Sequence, residues 1–191
     1  MAEFDIIIYG ATGFTGRLVA EYINNTHPNR PWAMAGRSAE KLAQVRDEMG
    51  LPADTAMVVA DASDPASIAA MAARAGVIIT TVGPYQAYGE PLVAACAAAG
   101  ADYVDLSGEP PFMWNMIEKY DAQAKETGAR IVHSCGFDSV PFDMGVYYLQ
   151  EQAKAKFGAP LKDVKGRVRG MRGTFSGGTA ASGMMTMKAA Q

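Results

Sequence analysis

The chain has 191 residues, 49% of them hydrophobic, which is typical of a globular protein with one full domain and part of another. A formal net charge of −3 argues against a nucleic-acid partner, and the two cysteines, Cys96 and Cys135, provide neither metal-ligand spacing nor a disulfide framework. The sequence has neither the pattern of a signal peptide nor a run of the ~20 apolar residues needed to span a bilayer, so we expect a cytoplasmic location and no membrane span.

Short apolar runs alternate with helical patterns along the chain. The predicted strands cover residues 4–9, 32–35, 57–60, 77–82, 103–106 and 130–133. Predicted helices begin at residues 14, 39, 65, 89, 112 and 141, with Ser38 and Asp64 as N-caps of the second and third. Continuous apolar strands separated by helices indicate a parallel sheet covered on both faces. The expected fold is therefore α/β, a Rossmann-type doubly wound parallel sheet.

The alternation stops after Gly158. Residues 163–171 alternate in polarity and predict one strand, and a Met-rich segment follows Gly177-Gly178. One strand and one helical stretch cannot bury a core of their own. We therefore expect residues 1–158 to form a dinucleotide-binding domain and residues 159–191 to begin an incomplete, mixed α+β second domain. That second domain would serve substrate binding or homodimer formation.

A glycine-rich turn joins the first strand to the first helix. It reads Gly10-Ala11-Thr12-Gly13-Phe14-Thr15-Gly16. Gly10 permits the tight turn, Gly13 lets the backbone approach a pyrophosphate, and Gly16 allows the helix to pack closely on the strand. The free N–H groups at the helix start favour phosphate. The turn, with Thr12, Phe14 and Thr15, therefore predicts a cofactor-binding site; the alternative is an ordinary strand-to-helix turn.

The residues after the next strands predict which dinucleotide binds. No acidic residue ends the second strand, where an acid would bind the ribose of NAD; Arg37 and Ser38 stand there instead. Because a guanidinium pairs with a 2′-phosphate, the sequence favours NADP over NAD, with a solvated Arg37 as the alternative. Asp61 follows the third strand and either reaches the adenine or belongs to the loop. Gly83 and Pro84 follow the fourth strand, where a glycine permits close approach to the cofactor.

Candidate catalytic residues follow the fourth and sixth strands. His133 is a candidate acid or base because imidazole titrates near neutral pH. Asp138 is a second candidate, although Asp138 or Ser139 also suits the cap of the following helix. Tyr85 is the third candidate; Tyr85 and Tyr88 either reach the cleft or cover apolar surface.

Two further observations bear on the chemistry. Asp105, Ser107 and Glu109 follow the fifth strand and form a second polar cluster at the same edge. None of the eight tyrosines is followed four residues later by lysine, so the Tyr-x-x-x-Lys pair of tyrosine-dependent short-chain reductases is absent.

Five segments together resemble the saccharopine dehydrogenase-like NAD(P)-dependent oxidoreductases, in the branch that contains trans-acting enoyl reductases. They are residues 10–16, Ala35-Gly36-Arg37-Ser38, Val82-Gly83-Pro84-Tyr85, Tyr103-Val104-Asp105-Leu106-Ser107-Gly108-Glu109 and Cys135-Gly136-Phe137-Asp138-Ser139-Val140-Pro141. The last two segments are the most specific. The resemblance implies a Rossmann domain followed by a mixed-sheet domain, and pyridine-nucleotide-dependent redox chemistry. It supplies neither a substrate nor a catalytic residue.

The leading hypothesis is an NADP(H)-dependent oxidoreductase that transfers a hydride to or from a small organic substrate. The alternative is a non-catalytic NADP(H)-binding sensor, which is equally compatible with the missing Tyr-x-x-x-Lys pair. An NAD-dependent epimerase-type enzyme is disfavoured by Arg37 and by the missing pair.

Overall fold

A computed structural model of the chain describes residues 2–174 and 177–189. Six parallel strands form one sheet in the order β3-β2-β1-β4-β5-β6. The strands are β1 (Phe4–Tyr9), β2 (Trp32–Gly36), β3 (Ala56–Val59), β4 (Ala75–Thr80), β5 (Asp102–Val104) and β6 (Ile131–Val132). The predicted α/β fold of the Rossmann type is confirmed.

The centre of the sheet is β1, whose apolar run is buried on both faces. Ile7 and Ile8 are completely buried. Ile7 lies opposite Ala33 of β2 on one side and Ile78 of β4 on the other. The strand order reverses between β1 and β4, and ligands of open α/β sheets bind in the crevice at the carboxyl ends of the strands there.

Helices cover both faces of the sheet. They are α1 (Phe14–Thr26), α2 (Ala39–Glu48), α3 (Pro65–Ala72), α4 (Tyr85–Tyr88), α5 (Glu90–Ala99), α6 (Pro110–Thr127), α7 (Val140–Phe157) and α8 (Gly177–Ala189). Ile23 of α1 and Leu42 of α2 are buried in one core cluster. Ile68 of α3, Val93 of α5 and Phe112 of α6 are buried in a second cluster. These two layers hold the sheet rigid beneath its carboxyl edge.

The helix ends follow most of the predicted caps. The Ser38 hydroxyl accepts a hydrogen bond from the Lys41 N–H at 3.2 Å, and the Asp64 carboxylate accepts one from the Ala66 N–H at 3.0 Å. The predicted side-chain cap of α7 is wrong. Ser139 stands at the N-cap position, but no side chain caps the helix. The Ser139 backbone conformation, φ −124° and ψ −68°, departs from the extended geometry in which a hydroxyl reaches the helix N–H groups.

The strand predicted over residues 163–171 is also wrong. These residues form neither helix nor strand, and nearly all are exposed. A strand requires hydrogen bonds to a neighbour, and within the described ranges no other strand pairs with this segment. The α8 helix then returns toward the sheet, where the Ser182 Oγ lies 3.7 Å from the position of a Cβ built on Gly83. None of the described helices is both long enough and apolar enough to cross a membrane.

Candidate dinucleotide site

The turn between β1 and α1 leaves room for backbone only. Gly10 has φ +89°, in the left-handed region, and a Cβ on it would stand 2.7 Å from the Thr81 Oγ1. A Cβ on Gly16 would stand 2.2 Å from the Gly10 carbonyl oxygen. The Gly10 N–H donates to the Ala35 carbonyl at 2.9 Å and ties the turn to β2. Each of these two glycines is therefore required by the close approach of backbone to its surroundings.

The first turn of α1 lies at the carboxyl edge of the sheet, and its first backbone N–H groups have no hydrogen-bond acceptor among the described residues. Gly13 is the N-cap, and no side chain caps the helix there. The N–H groups of Phe14, Thr15 and Gly16 therefore stand at a helix start, where the peptide dipoles give a partial positive charge. The Phe14 ring is 72% exposed, so the helix presents an aromatic surface beside these donors.

A cleft of about 390 Å³ lies along this edge of the sheet. Its walls come from the ends of β1, β2, β3 and β4. They are formed by Tyr9, Gly10, Thr12, Gly36, Arg37, Asp61, Ala62, Ser63, Val82, Gly83 and Tyr88. The cleft therefore brings together five residues predicted to bind the cofactor: Gly10, Thr12, Arg37, Asp61 and Gly83.

Arg37 and Asp61 give the cleft one charged end. The Arg37 side chain forms no hydrogen bond or ion pair within the described part of the chain, and the residue is exposed. The Asp61 carboxylate accepts hydrogen bonds from the Ser63 N–H at 2.9 Å and the Ser63 hydroxyl at 2.8 Å. Those two bonds, and the neighbouring Arg37 charge, lower the pKa of Asp61. Asp61 thus shapes the loop after β3, while the Arg37 guanidinium keeps its donors available.

Tyr9 forms the floor of the cleft. It is 4% exposed, and burial, with the negative charge of Asp61, raises its pKa to about 12. Ser38 lies beside Arg37, where its hydroxyl already caps α2. Pro84 stands at the N-cap of the short helix α4, which follows β4 and was not predicted. Ser38 and Pro84 are not among the residues that line the cleft.

Beyond the β4 end of the cleft, the loops after the neighbouring strands β5 and β6 meet on a buried carboxylate, that of Asp105. Asp105 Oδ1 accepts the Ser107 N–H at 2.9 Å and the Ser134 N–H at 2.8 Å. Asp105 Oδ2 accepts the Tyr103 hydroxyl at 2.8 Å and lies 2.7 Å from His133 Nδ1. Burial alone would raise the pKa of Asp105, but the bonds from His133 and the two backbone N–H groups outweigh it and lower the pKa.

His133 is held firmly by this carboxylate. An ionised carboxylate only accepts hydrogen bonds, so Nδ1 carries the proton shared with Asp105. The imidazole packs edge-on against the Tyr103 ring at 5.6 Å and the Phe112 ring at 5.5 Å. Its buried Nε2 has no hydrogen-bond partner among the described residues. The imidazole therefore packs against α6 and is not among the residues that line the cleft.

Ser134, the next residue, has φ +59°, a left-handed conformation that is unfavourable for a residue with a Cβ. Two hydrogen bonds hold it there. Its N–H donates to Asp105, and its hydroxyl donates to the Ser107 carbonyl at 2.6 Å. The strained residue thus fastens the loop after β6 to the loop after β5.

A second buried carboxylate, Glu109, joins the loop after β5 to the loop after β4. Glu109 is 1% exposed and accepts the Tyr85 N–H at 3.0 Å and the Gln86 N–H at 2.8 Å. These are the first two backbone donors of α4, so one carboxylate fixes the position of that helix. The sequence indicated Glu109 as part of a polar cluster, but its buried position follows from the tertiary fold.

The three candidate catalytic residues occupy different surroundings. Tyr85 is 4% exposed; its hydroxyl donates to the Thr80 carbonyl at 3.2 Å and accepts the Leu106 N–H at 3.4 Å. Asp138 lies exposed in the turn before α7. Neither of these two, nor His133, is among the described residues that line the cleft. Their assignment as catalytic stays a prediction.

The comparison with known families rests on the same part of the chain. Residues 6–132, from β1 to β6, match the model of the saccharopine dehydrogenase NADP-binding domain. The chain belongs to this family. The match covers the glycine turn, the whole cleft and the Asp105 cluster as far as Val132, so the dinucleotide for this site is NADP.

The curated relatives point to the same family. A Mycobacterium tuberculosis protein is 55% identical over 181 residues, which cover 94% of this chain and 43% of that protein. The trans-acting enoyl reductase of Mycobacterium ulcerans is 55% identical over 152 residues, 79% of this chain and 36% of the reductase. The chain therefore spans less than half the length of the curated relatives it matches.

Solved structures agree on the fold. Apo saccharopine dehydrogenase (L-Glu forming) from Saccharomyces cerevisiae has a TM-score of 0.63 at 15% identity. The match covers 80% of this chain and 32% of the dehydrogenase chain. The triphenylmethane reductase of Citrobacter sp., complexed with NADP(H), has a TM-score of 0.53 at 18% identity. The match covers 78% of this chain and 56% of the reductase chain. At these identities the likeness establishes the Rossmann-type architecture.

The residues of the cleft fit NADP. The glycine turn, residues 10–16, has no room for side chains at Gly10 and Gly16 and presents free backbone N–H groups, which a pyrophosphate requires. Arg37 offers an unpaired guanidinium at the end of β2, where the 2′-phosphate of NADP lies in this fold.

Proposed function

We propose that this chain forms the NADP(H)-binding part of an oxidoreductase that moves a hydride between NADP(H) and a small organic substrate. The observation that carries the proposal is that the glycine turn and the unpaired Arg37 side chain lie in one cleft. When bound, the nicotinamide supplies or accepts the hydride. The protein's own contribution is to bind the pyrophosphate and the 2′-phosphate and to fix the loops beyond the β4 end of the cleft.

For the substrate class we propose a conjugated enoyl group. The support is the 55% identity with the trans-acting enoyl reductase of Mycobacterium ulcerans. The hydrogen-bonded loops after β4, β5 and β6 would provide the rigid floor beneath such a substrate. Rigid placement of reactants is a large part of what an enzyme contributes to a hydride transfer.

The domain division belongs to the same proposal. We place the boundary of the nucleotide-binding domain at Gly158, which ends α7 in the left-handed conformation with φ +76°. Residues 159–191 would then begin the second domain, which provides further walls of the substrate site or a homodimer contact. The approach of Ser182 to Gly83 supports a wall at the β4 end of the cleft.

The first test is parallel calorimetric titration of the purified chain with NADPH and NADH. We expect NADPH to bind more tightly, and Arg37→Ala to weaken NADPH about 10- to 100-fold while leaving NADH unchanged, because only NADPH offers a phosphate to the guanidinium. Arg169→Ala is the matched control, since Arg169 is also exposed and does not line the cleft. Equal affinities for the two nucleotides would contradict the role of Arg37.

The hydride step has its own test. The protein is incubated with NADPH deuterated on its nicotinamide and with an α,β-unsaturated acyl thioester. Deuterium in the saturated product would support the enoyl assignment. Because residues 159–191 would form only the start of the second domain, we expect this chain by itself to bind NADPH with little turnover. NADPH binding without consumption would favour the non-catalytic sensor only if a chain that contains the whole second domain also left NADPH unconsumed.

A further inference from the structure

The cleft contains one large aromatic side chain whose role the nucleotide-binding motifs leave open. Tyr88 is the last residue of α4 and lines the cleft beside Val82 and Gly83. It is 51% exposed, whereas Tyr85 of the same helix is buried. The short helix therefore turns one tyrosine into the protein and the other toward the cleft.

The backbone of α4, which carries Tyr88, is fixed by its surroundings. Glu109 holds the first two N–H groups of α4, and the Gly89 N–H donates to the Tyr85 carbonyl at 2.8 Å. A Cβ on Gly89 would stand 2.6 Å from the Phe112 ring, so the end of α4 packs directly on α6. Tyr88 thus projects from a rigid support.

The sheet order determines which half of a dinucleotide meets this side chain. Arg37 follows β2, the glycine turn follows β1, and Tyr88 follows β4, and these strands are neighbours in that order. With the 2′-phosphate at Arg37 and the pyrophosphate on the glycine turn, the remaining half of the cofactor extends toward β4. Tyr88 is therefore at the opposite end of the cleft from the 2′-phosphate.

The other titratable side chains of the cleft do not occupy this end. Among the described residues these are Tyr9, which forms the floor, and Arg37 and Asp61, which form the charged end. Among the residues that line the cleft, Val82 and Gly83 stand at the β4 end beside Tyr88 and offer apolar and backbone surface. An aromatic ring beside such a surface suits a planar heterocycle, since aromatic rings pack favourably when offset-stacked or edge to face.

We propose that the Tyr88 ring packs against the nicotinamide half of NADP(H) and holds it at the end of β4. The proposal rests on the proposed NADP(H)-binding function and extends it to a residue outside the glycine turn. Its support is the placement of Tyr88. The ring is exposed, its helix is firmly held, and it lies at the β4 end of the described cleft, beyond the glycine turn.

The test compares two ligands that differ by the nicotinamide half. NADPH contains it, whereas adenosine 2′,5′-bisphosphate has only the adenosine and phosphate portion. We expect Tyr88→Ala to weaken NADPH about tenfold and to leave the bisphosphate unchanged, because only NADPH loses an aromatic contact. Tyr88→Phe keeps the ring and should stay within about twofold of wild type. Tyr148→Ala is the control, since Tyr148 is exposed on α7 and does not line the cleft.

Each other outcome overturns the proposal. An equal loss for both ligands would assign Tyr88 to the adenosine half or to the fold. An unchanged NADPH affinity in Tyr88→Ala would remove Tyr88 from the cofactor site, and equal losses in the Phe and Ala variants would exclude ring packing. If wild type binds NADPH no more tightly than the bisphosphate, the nicotinamide half adds nothing to the affinity, and the proposed contact with Tyr88 is absent. If wild type binds neither ligand, the proposed NADP(H)-binding function fails, and the Tyr88 proposal, which rests on it, fails with it.

Discussion

Asp105 Oδ2 and His133 Nδ1 lie 2.7 Å apart in a pair whose side chains are almost completely buried. The two residues belong to different loops, one after β5 and the other after β6. Because the same carboxylate also accepts the Ser107 and Ser134 N–H groups, it is the point at which both loops are fastened. Replacing it should therefore loosen the whole carboxyl edge of the sheet on that side.

Asp105→Asn should lower the free energy of unfolding at pH 7 by about 3 kcal/mol, because it removes the charge that several buried donors share. The lowered pKa of Asp105 also predicts a pH dependence. A carboxyl group whose folded pKa lies below its unfolded value contributes stability above about pH 4, and the contribution is lost as the pH falls through the folded pKa. Urea unfolding between pH 7 and pH 3 measures both effects.

The wild type should lose more stability over this acid range than Asp105→Asn, which lacks the titrating group. Asp54→Asn is the control, because Asp54 is exposed and makes no hydrogen bond within the described residues. Parallel pH profiles for wild type and Asp105→Asn would contradict the prediction.

Glu109→Gln should destabilise the protein by about 2 kcal/mol, since an amide can accept one of the two N–H groups but presents its own donor to the other. The affected donors are those of Tyr85 and Gln86 at the start of α4. Thermal unfolding, followed by circular dichroism, measures the loss. Glu118→Gln makes the same change on the exposed side of α6 and should leave the stability unchanged. If both variants lost a similar amount of stability, the loss in Glu109→Gln would not come from the contacts of Glu109.

Gly16→Ala should destabilise the protein by about 3 kcal/mol or more, because its Cβ would overlap the Gly10 carbonyl oxygen at 2.2 Å and backbone cannot rotate away. The opposite is expected of Gly145→Ala in α7, where a Cβ meets nothing within 4 Å. There, alanine should stabilise the helix by roughly 0.5–1 kcal/mol. Chemical denaturation compares the two, and a tolerated Gly16→Ala would mean that α1 lies farther from the turn.

The two cysteines should differ in reactivity with a thiol reagent such as 5,5′-dithiobis(2-nitrobenzoate). Burial, together with the charge of Asp102, raises the pKa of Cys96 to about 12, and its side chain is inaccessible. Cys135 is exposed, although partial burial and the Asp105 charge raise its pKa as well. One thiol should therefore react in the native protein, more slowly than a free thiol, and the second only after unfolding. Cys135→Ser should abolish the native reaction.

The features that depend on neighbours in the sequence were predictable. Gly10, Gly13 and Gly16 stand in a fixed spacing between an apolar strand and a helix, and both their turn and its place at the sheet edge follow from that spacing. The Ser38 and Asp64 caps are local for the same reason. The pattern of apolar runs thus predicted the six strands to within two residues at each end.

Features that depend on distant contacts were not predictable. Tyr85 and Tyr88 are three residues apart, and only the packing of α4 on Phe112 and Glu109 decides which one is buried. The alternating residues 163–171 have the polarity of a strand, but pairing requires a neighbour that the local sequence does not specify.

The close contact between Gly16 and the Gly10 carbonyl has a consequence for the thermodynamics of ligand capture. Because α1 cannot move away from the turn without losing its packing, its amide groups already point in one direction before any phosphate arrives. Little conformational freedom then remains to be lost when an anion docks, and the association entropy is correspondingly less unfavourable. Affinity at this position should therefore depend weakly on segmental ordering and strongly on the charge of the incoming group.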